Sequence, residues 1–101
     1  MKIKNVTEEE FKSRMRLVLG KYLDLTKFKV FVFGSRVTER GDERSDIDVG
    51  IEGDGLVPEA DMQKIKEEVE EMPLLYKVDV VDFRRVADDF YQVAKQRVEY
   101  I

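Results

Sequence analysis

The chain has 101 residues, enough for one domain, and its 43% hydrophobic and 40% charged residues predict a folded core beneath a strongly charged surface. The net charge of −4 disfavours direct binding to nucleic acid, and the absence of Cys and His excludes zinc fingers, thiol chemistry and histidine bases. No apolar run is long enough to span a membrane and no signal-peptide pattern opens the sequence, so we expect a cytoplasmic protein with no membrane partner.

The first predicted helix begins after Thr7, which is followed by three glutamates in the pattern of a capping box. Residues 1–6 before it are expected to form a short lead-in or an edge strand. Apolar residues then recur every three or four positions, which is typical of one buried helix face. This face contains Phe11, Met15, Val18, Tyr22 and Leu25, and it is widened by Leu19 and Leu23.

The central stretch, residues 28–51, is predicted to form a strand, a sharp turn, a polar loop and a second strand. The first apolar run ends at Gly34 and Ser35, and ten residues separate Ser35 from Asp46. Side chains alternate between the two faces of a strand, so Asp46 and Asp48 should share one face while Ile47 points into the core.

Two carboxylates on one strand face repel each other, which indicates either a solvated surface or a site for a hard cation. Mg²⁺ prefers one or two carboxylates together with phosphate oxygens of a substrate. Gly34 allows a ligand to approach the backbone closely, and Ser35 at the start of a short helix offers a hydroxyl and amide groups to an anion. The combination favours a site for Mg²⁺ and phosphate. Arg36 in the following loop is a candidate phosphate ligand, and Arg40 and Arg44 are weaker ones.

Pro58 is predicted to lie in the first turn of a second helix, whose buried face contains Met62, Ile65, Val69 and Met72. A third strand is expected at 74–83. Asp79 interrupts its β-branched run, where an unpaired charge is costly, so we interpret Asp79 as a ligand. Asp82 lies three residues after Asp79, so its side chain points to the opposite face of the strand, and we interpret it as a strand-end or capping residue.

A last helix is expected after Arg84 and Arg85, with one apolar stripe formed by Phe90, Val93, Ala94 and Val98. The resulting order is helix, strand, short helix, strand, helix, strand, helix. This order predicts a single domain, 1–101, of the α/β (α+β) class, with a small mixed β-sheet covered by helices on one side.

Gly34-Ser35, the ten-residue gap and Ser45-Asp46-Ile47-Asp48 resemble the signature of the DNA polymerase beta nucleotidyltransferase superfamily. The similarity is greatest to its smallest branch, the minimal nucleotidyltransferases of prokaryotes, and Asp79 matches the third aspartate of that branch. The loop at 36–41 departs from the Arg-x-Arg-Gly run that is common in the family.

The resemblance implies a nucleotidyltransferase-like core and an enzyme that transfers a nucleotidyl group from ATP. Asp46, Asp48 and Asp79 would be both catalytic residues and ligands of two Mg²⁺ ions about 4 Å apart. Gly34, Ser35 and Arg36 would bind the triphosphate. The family further implies an antitoxin that adenylylates a tyrosine of a HEPN ribonuclease toxin, so a hetero-oligomer with that partner is expected.

A second hypothesis treats the chain as a binding module. Such an antitoxin would neutralise its partner by masking a surface, with weak or absent transfer chemistry. The altered loop at 36–41 favours this alternative, whereas Gly34, Ser35, Asp46, Asp48 and Asp79 favour the enzyme, because a structural role does not require them.

Overall fold

Helices and strands follow one another along the chain in a computed structural model that describes residues 7–34, 47–72 and 77–101. The elements in these ranges are α1 (Glu8–Gly20), β1 (Lys29–Phe33), β2 (Ile47–Glu52), α2 (Glu59–Glu70), β3 (Val78–Asp82), α3 (Asp88–Ala94) and β4 (Val98–Tyr100). The lead-in expected at 1–6, the short helix expected after Gly34 and the beginning of the strand expected at 74–83 lie outside the described residues. None of the described helices is long and apolar enough to cross a membrane.

The strands pair in the order β3-β2-β1-β4 within the described part of the chain. β1 is antiparallel to both β2 and β4, whereas β2 and β3 are parallel. The parallel pair requires a crossover, and α2 supplies it between the two strands. The predicted mixed sheet is therefore confirmed.

The aliphatic core lies between one face of the sheet and the helices α1 and α2. Alternate residues of β1, β2 and β3 point into it, as the period of two along a strand requires. Both predicted helical stripes are confirmed as core packing. The fully buried members of this core are Phe11, Met15, Leu19, Val32, Ile47, Val49, Ile51, Val57 and Ile65.

The starts of the two long helices follow the local sequence. The hydroxyl of Thr7 accepts a hydrogen bond from the Glu10 amide at 3.1 Å, so Thr7 caps α1 as predicted. Pro58 directly precedes α2, where its fixed φ suits a helix start and its missing amide leaves no unpaired donor.

The opposite face of the sheet carries an aromatic cluster formed by Phe31, Phe33 and Phe83, and α3 packs against it. The expectation that helices cover only one side is therefore wrong. Gly50 makes this packing possible, because a Cβ atom there would lie 2.4 Å from Cε2 of Phe31 and 2.7 Å from Cε1 of Phe83. The two rings occupy the space above the strand and meet edge to face, with centroids 4.8 Å apart.

The last predicted helix is shorter than its apolar spacing indicates. α3 ends at Ala94, and Val98 lies in β4, which pairs with Phe31–Phe33 of β1. The placement of Val98 in a helical stripe is therefore wrong. Pairing with β4 satisfies backbone groups along β1 that would otherwise form an open sheet edge, and a β-branched residue suits that role.

Partly buried hydrogen bonds to Glu52 of β2 connect the end of α3 to the sheet. Lys95 donates a hydrogen bond to Oε1 of Glu52 at 2.8 Å, and its Nζ lies 4.7 Å from the centroid of the Phe31 ring. The hydroxyl of Tyr91 donates to Oε2 of the same carboxylate. Burial opposes ionisation of Glu52, but the hydrogen bonds from Lys95 and Tyr91 outweigh it and hold the pKa of Glu52 below its ordinary value.

Asp82 is a buried carboxylate at the end of β3, with only 5% of its surface exposed. Oδ2 accepts a hydrogen bond from the Val57 amide and Oδ1 accepts one from the Arg84 amide, both at 2.9 Å. Arg85 lies 3.4 Å from the same carboxylate. The interpretation of Asp82 as a strand-end residue is confirmed, because it joins the loop before α2 to the loop after β3.

We expect Glu52→Gln to lower the free energy of unfolding by about 1–2 kcal/mol near pH 7, because it removes the charge to which Lys95 donates. Since the pKa of Glu52 is lowered by folding, this contribution is present above its ordinary value of 4.5. It is lost as the pH falls through the folded-state pKa. Denaturant unfolding of both proteins at a series of pH values measures the difference, and a gap that stays constant into strong acid would contradict the assignment.

Replacing Asp82 by alanine should lower the free energy of unfolding by about 2–3 kcal/mol, because the buried Val57 amide loses its acceptor. Asp79→Ala is the matched control on the same strand. It removes a half-exposed carboxylate that lies opposite Asp48, so it should not lower the free energy of unfolding by more than about 0.5 kcal/mol and is free to raise it. Urea unfolding compares the two, and equal losses would show that Asp82 has no special structural role.

Candidate functional site

Two aspartates lie side by side on the sheet face that carries the aromatic cluster. Asp48 of β2 is the direct Cα partner of Asp79 of β3 in the parallel pair, and adjacent strands are about 4.8 Å apart. Both side chains are half-buried, whereas their neighbours along each strand point into the aliphatic core. The sheet therefore holds two carboxylates close together at a surface that solvent can reach.

Gly34 lies against one of these carboxylates. It follows β1, whose last residue Phe33 pairs with Asp48, and it adopts a positive φ of 86°. A Cβ atom at this position would lie 2.8 Å from Oδ2 of Asp48. The left-handed backbone favours glycine at this position, and any larger residue would require the Asp48 carboxylate to shift.

Among the residues that the structure describes, Lys77 lies beside Asp79. The Nζ atom of Lys77 is 3.6 Å from Oδ1 of Asp79, and the two side chains are 66% and 42% exposed. An ion pair as exposed as this one contributes at most about 1 kcal/mol.

The structure brings together three of the sequence-predicted site residues, Gly34, Asp48 and Asp79. Ser35, Arg36 and Asp46 lie outside the described residues, as do Arg40 and Arg44, so their roles stay predictions. Asp82, the other aspartate on β3, points to the opposite side of the strand and serves the fold.

The donor set of the pair suits a hard divalent cation. Mg²⁺ takes oxygen ligands and uses one or two carboxylates in sites where substrate phosphates complete its coordination. Asp48 and Asp79 supply two such carboxylates from neighbouring strands, and Gly34 adds no side chain beside them. Within residues 7–34, 47–72 and 77–101, no group of three or more His, Cys, Asp or Glu comes together as a metal cluster.

A cavity of about 590 Å³ opens beside Asp48 and Gly34. Its other wall comes from α3 and the turn that follows, a part of the chain that sequence reasoning did not assign to the site. The only signal there is an apolar stripe, which is also typical of ordinary core packing. The lining residues are Phe33, Gly34, Asp48, Phe90, Val93, Ala94, Gln96 and Arg97.

Comparison of the sequence with protein families gives a match over most of the chain. The family profile described as "Polymerase beta, Nucleotidyltransferase" matches residues 24–99, a range that includes both strands of the carboxylate pair. No curated protein matches the sequence significantly.

Three solved structures share the fold. A toxin–antitoxin crystal structure with AMP-PNP has a TM-score of 0.71 and 17% identity, covering 88% of this chain and 70% of that chain. A mutant of the toxin–antitoxin MntA-HpeT has a TM-score of 0.69 and 14% identity over the same shares. A protein described as a candidate minimal nucleotidyltransferase has a TM-score of 0.66 and 24% identity, covering 97% of each chain. The predicted nucleotidyltransferase-like fold is confirmed.

Gly34→Ala should lower the free energy of unfolding by about 1–2 kcal/mol, because a Cβ atom strains the left-handed backbone and displaces the Asp48 carboxylate. Gly55→Ala is the control, since a Cβ atom there meets nothing within 4 Å. Thermal unfolding of the three proteins measures the effect. An unchanged melting temperature in Gly34→Ala would show that the close approach to Asp48 does not constrain the site.

Proposed function

The chain belongs to the polymerase beta nucleotidyltransferase family, and from this premise we propose that it is a Mg²⁺-dependent nucleotidyltransferase. The observation that carries the proposal is the in-register pair of Asp48 and Asp79 beside the left-handed Gly34. Like charges placed opposite each other disfavour a strand pair, and a bound divalent cation would offset that cost.

Asp48 and Asp79, together with Asp46, are the proposed metal ligands. Mg²⁺ held by these residues would neutralise triphosphate charge and supply Lewis-acid chemistry to the reacting phosphate. The protein contributes rigidity, because Asp48 and Asp79 project from paired strands above a packed aliphatic core. Carboxylates held in this way need no rearrangement when the substrate arrives, which is the main source of electrostatic catalysis.

The proposed reaction moves the α-phosphoryl group of ATP to a hydroxyl. The acceptor oxygen forms a bond to the α-phosphorus, the bond from that phosphorus to the α,β-bridging oxygen breaks, and pyrophosphate leaves. Asp79 takes the acceptor proton and passes it to water. Because Asp79 is half-exposed, it can exchange that proton with solvent.

The nucleotide is held, in this proposal, by Gly34, Ser35 and Arg36. The positive φ of Gly34 and its lack of a side chain support close approach of phosphate to the backbone. The proposal of ATP as substrate is supported by the related toxin–antitoxin structure with AMP-PNP, an ATP analogue.

We further propose that the acceptor is a tyrosine hydroxyl of a partner toxin of the HEPN class, which makes the chain an adenylylating antitoxin. Two of the similar structures are toxin–antitoxin complexes. One of them carries aspartate-to-glutamate changes at two positions separated by one residue, the same spacing as Asp46 and Asp48. A hetero-oligomer with the toxin follows, since the acceptor must reach the carboxylates.

Asp48→Asn should reduce transfer of label from α-³²P-ATP to the partner by on the order of 10²-fold or more, because it removes one ligand charge from the site. The assay uses purified chain and partner with Mg²⁺, and scores labelled partner and pyrophosphate together. Asp54→Asn is the matched control, since it removes the same charge from an exposed turn and should leave transfer unchanged.

The same variants separate the enzyme from a masking antitoxin. If Asp48→Asn loses transfer and also loses neutralisation of the partner, the chain acts as an enzyme. If Asp48→Asn still neutralises the partner fully, or if it transfers label at the wild-type rate, the proposed mechanism is wrong.

A further inference from the structure

The cavity beside Asp48 has an apolar wall that the proposed transfer chemistry does not use. Phe90, Val93 and Ala94 of α3 form it, and Phe90 and Val93 are 43% and 69% exposed. Exposed apolar side chains that line a concave surface favour a ligand with an apolar face. Binding of phosphates and a divalent cation at the aspartates does not require an apolar surface, so the proposed chemistry leaves this wall unexplained.

Phe90 is held as a fixed aromatic platform. Its ring meets the ring of Phe33 edge to face, with centroids 6.1 Å apart, and lies 6.0 Å from the centroid of Phe83. These two rings belong to the buried aromatic cluster, so Phe90 rests on the core while part of its surface lines the cavity. A planar ligand that stacks on such a ring loses little free energy to ordering of the protein.

The polar residues of this wall are Gln96 and Arg97, both exposed, in the turn between α3 and β4. A glutamine amide presents a donor and an acceptor side by side, which matches the N6 and N7 edge of adenine. Aromatic stacking together with an amide edge is a combination that suits a nucleobase.

We propose that the α3 wall is the nucleobase subsite of the nucleotide site, in which Phe90 stacks on the base and Gln96 reads its edge. This inference rests on the proposed function, because it assigns the base end of the same nucleotide whose phosphates lie at Gly34 and Asp48. It goes beyond that function by naming the residues that select the base.

The continuity of the cavity favours a nucleotide over a protein segment as the occupant. Asp48 and Gly34 line the same cavity as Phe90 and Gln96, so one molecule with a charged end and a flat end fills it. Its volume of about 590 Å³ lies within the range of small-molecule sites. A partner side chain in this cavity is an outcome that the following test distinguishes.

Phe90→Leu should weaken binding of Mg²⁺-ATP by roughly 5- to 100-fold, the loss expected when a base no longer stacks on an aromatic ring. Binding of Mg²⁺-tripolyphosphate, which has no base, should be unchanged. Calorimetric titration of both ligands into both proteins gives the four dissociation constants. Phe90→Tyr keeps the ring and should bind ATP like the wild type, and Leu17→Ala on the exposed side of α1 should leave both ligands unaffected.

Gln96→Glu provides an independent readout of base selection. The carboxylate keeps the acceptor for the N6 donor of adenine but loses the amide donor, and guanine presents only acceptors, O6 and N7, at the same edge. We expect both nucleotides to bind Gln96→Glu more weakly and the ratio of ATP to GTP affinity to rise, with tripolyphosphate binding retained.

The outcomes distinguish this inference from the proposed function. Tripolyphosphate binding with an ATP affinity that Phe90→Leu leaves unchanged overturns the base subsite alone. Failure of the wild type to bind either ligand overturns the nucleotide site and the base subsite with it. Loss of both ligands in Phe90→Leu also overturns the subsite, since Phe90 then supports the phosphate end or the fold.

Discussion

The pairing of two strands that sets two carboxylates side by side is the constraint on which the candidate site depends. Asp48 and Asp79 are direct partners on parallel strands, and Oδ2 of Asp48 also lies against the backbone at Gly34. A residue with a Cβ atom at position 34 would displace that oxygen. The register of β2 and β3 thus places Asp48, and the left-handed glycine at position 34 leaves room for its carboxylate.

Packing on the other face of the sheet holds the strands in this register. Alternate residues of the central strands are buried against α1 and α2, so the strands cannot shift register by one residue without exposing the core. Asp82 adds a second restraint, because its buried carboxylate ties the loop before α2 to the end of β3. The register of the sheet and the anchoring of Asp82 together fix the position of Asp79 on β3.

Local rules account for much of the fold and for part of the site. The period of a helix predicts the buried stripes, and the period of a strand predicts that Asp79 and Asp82 point to opposite faces. The capping-box pattern predicts the cap at Thr7. Local rules do not predict the register that sets Asp48 opposite Asp79, because this register depends on how α2 connects the two parallel strands. Sequence spacing also misassigns Val98, whose position fits a helical stripe, because pairing with β1 overrides that local pattern. The contribution of α3 to the cavity wall is not evident from the sequence, because its apolar stripe is equally typical of core packing.

The most direct test of the carboxylate pair as a metal-nucleotide site is paramagnetic line broadening with Mn²⁺ in place of Mg²⁺. In the presence of ATP, the amide signals of Gly34, Asp48 and Asp79 should broaden at the lowest Mn²⁺ concentrations, and excess Mg²⁺ should restore them. Asp48→Asn should remove this selective effect. Broadening that begins along the acidic surface of α2, or that is uniform over the protein, would contradict the assignment of the site.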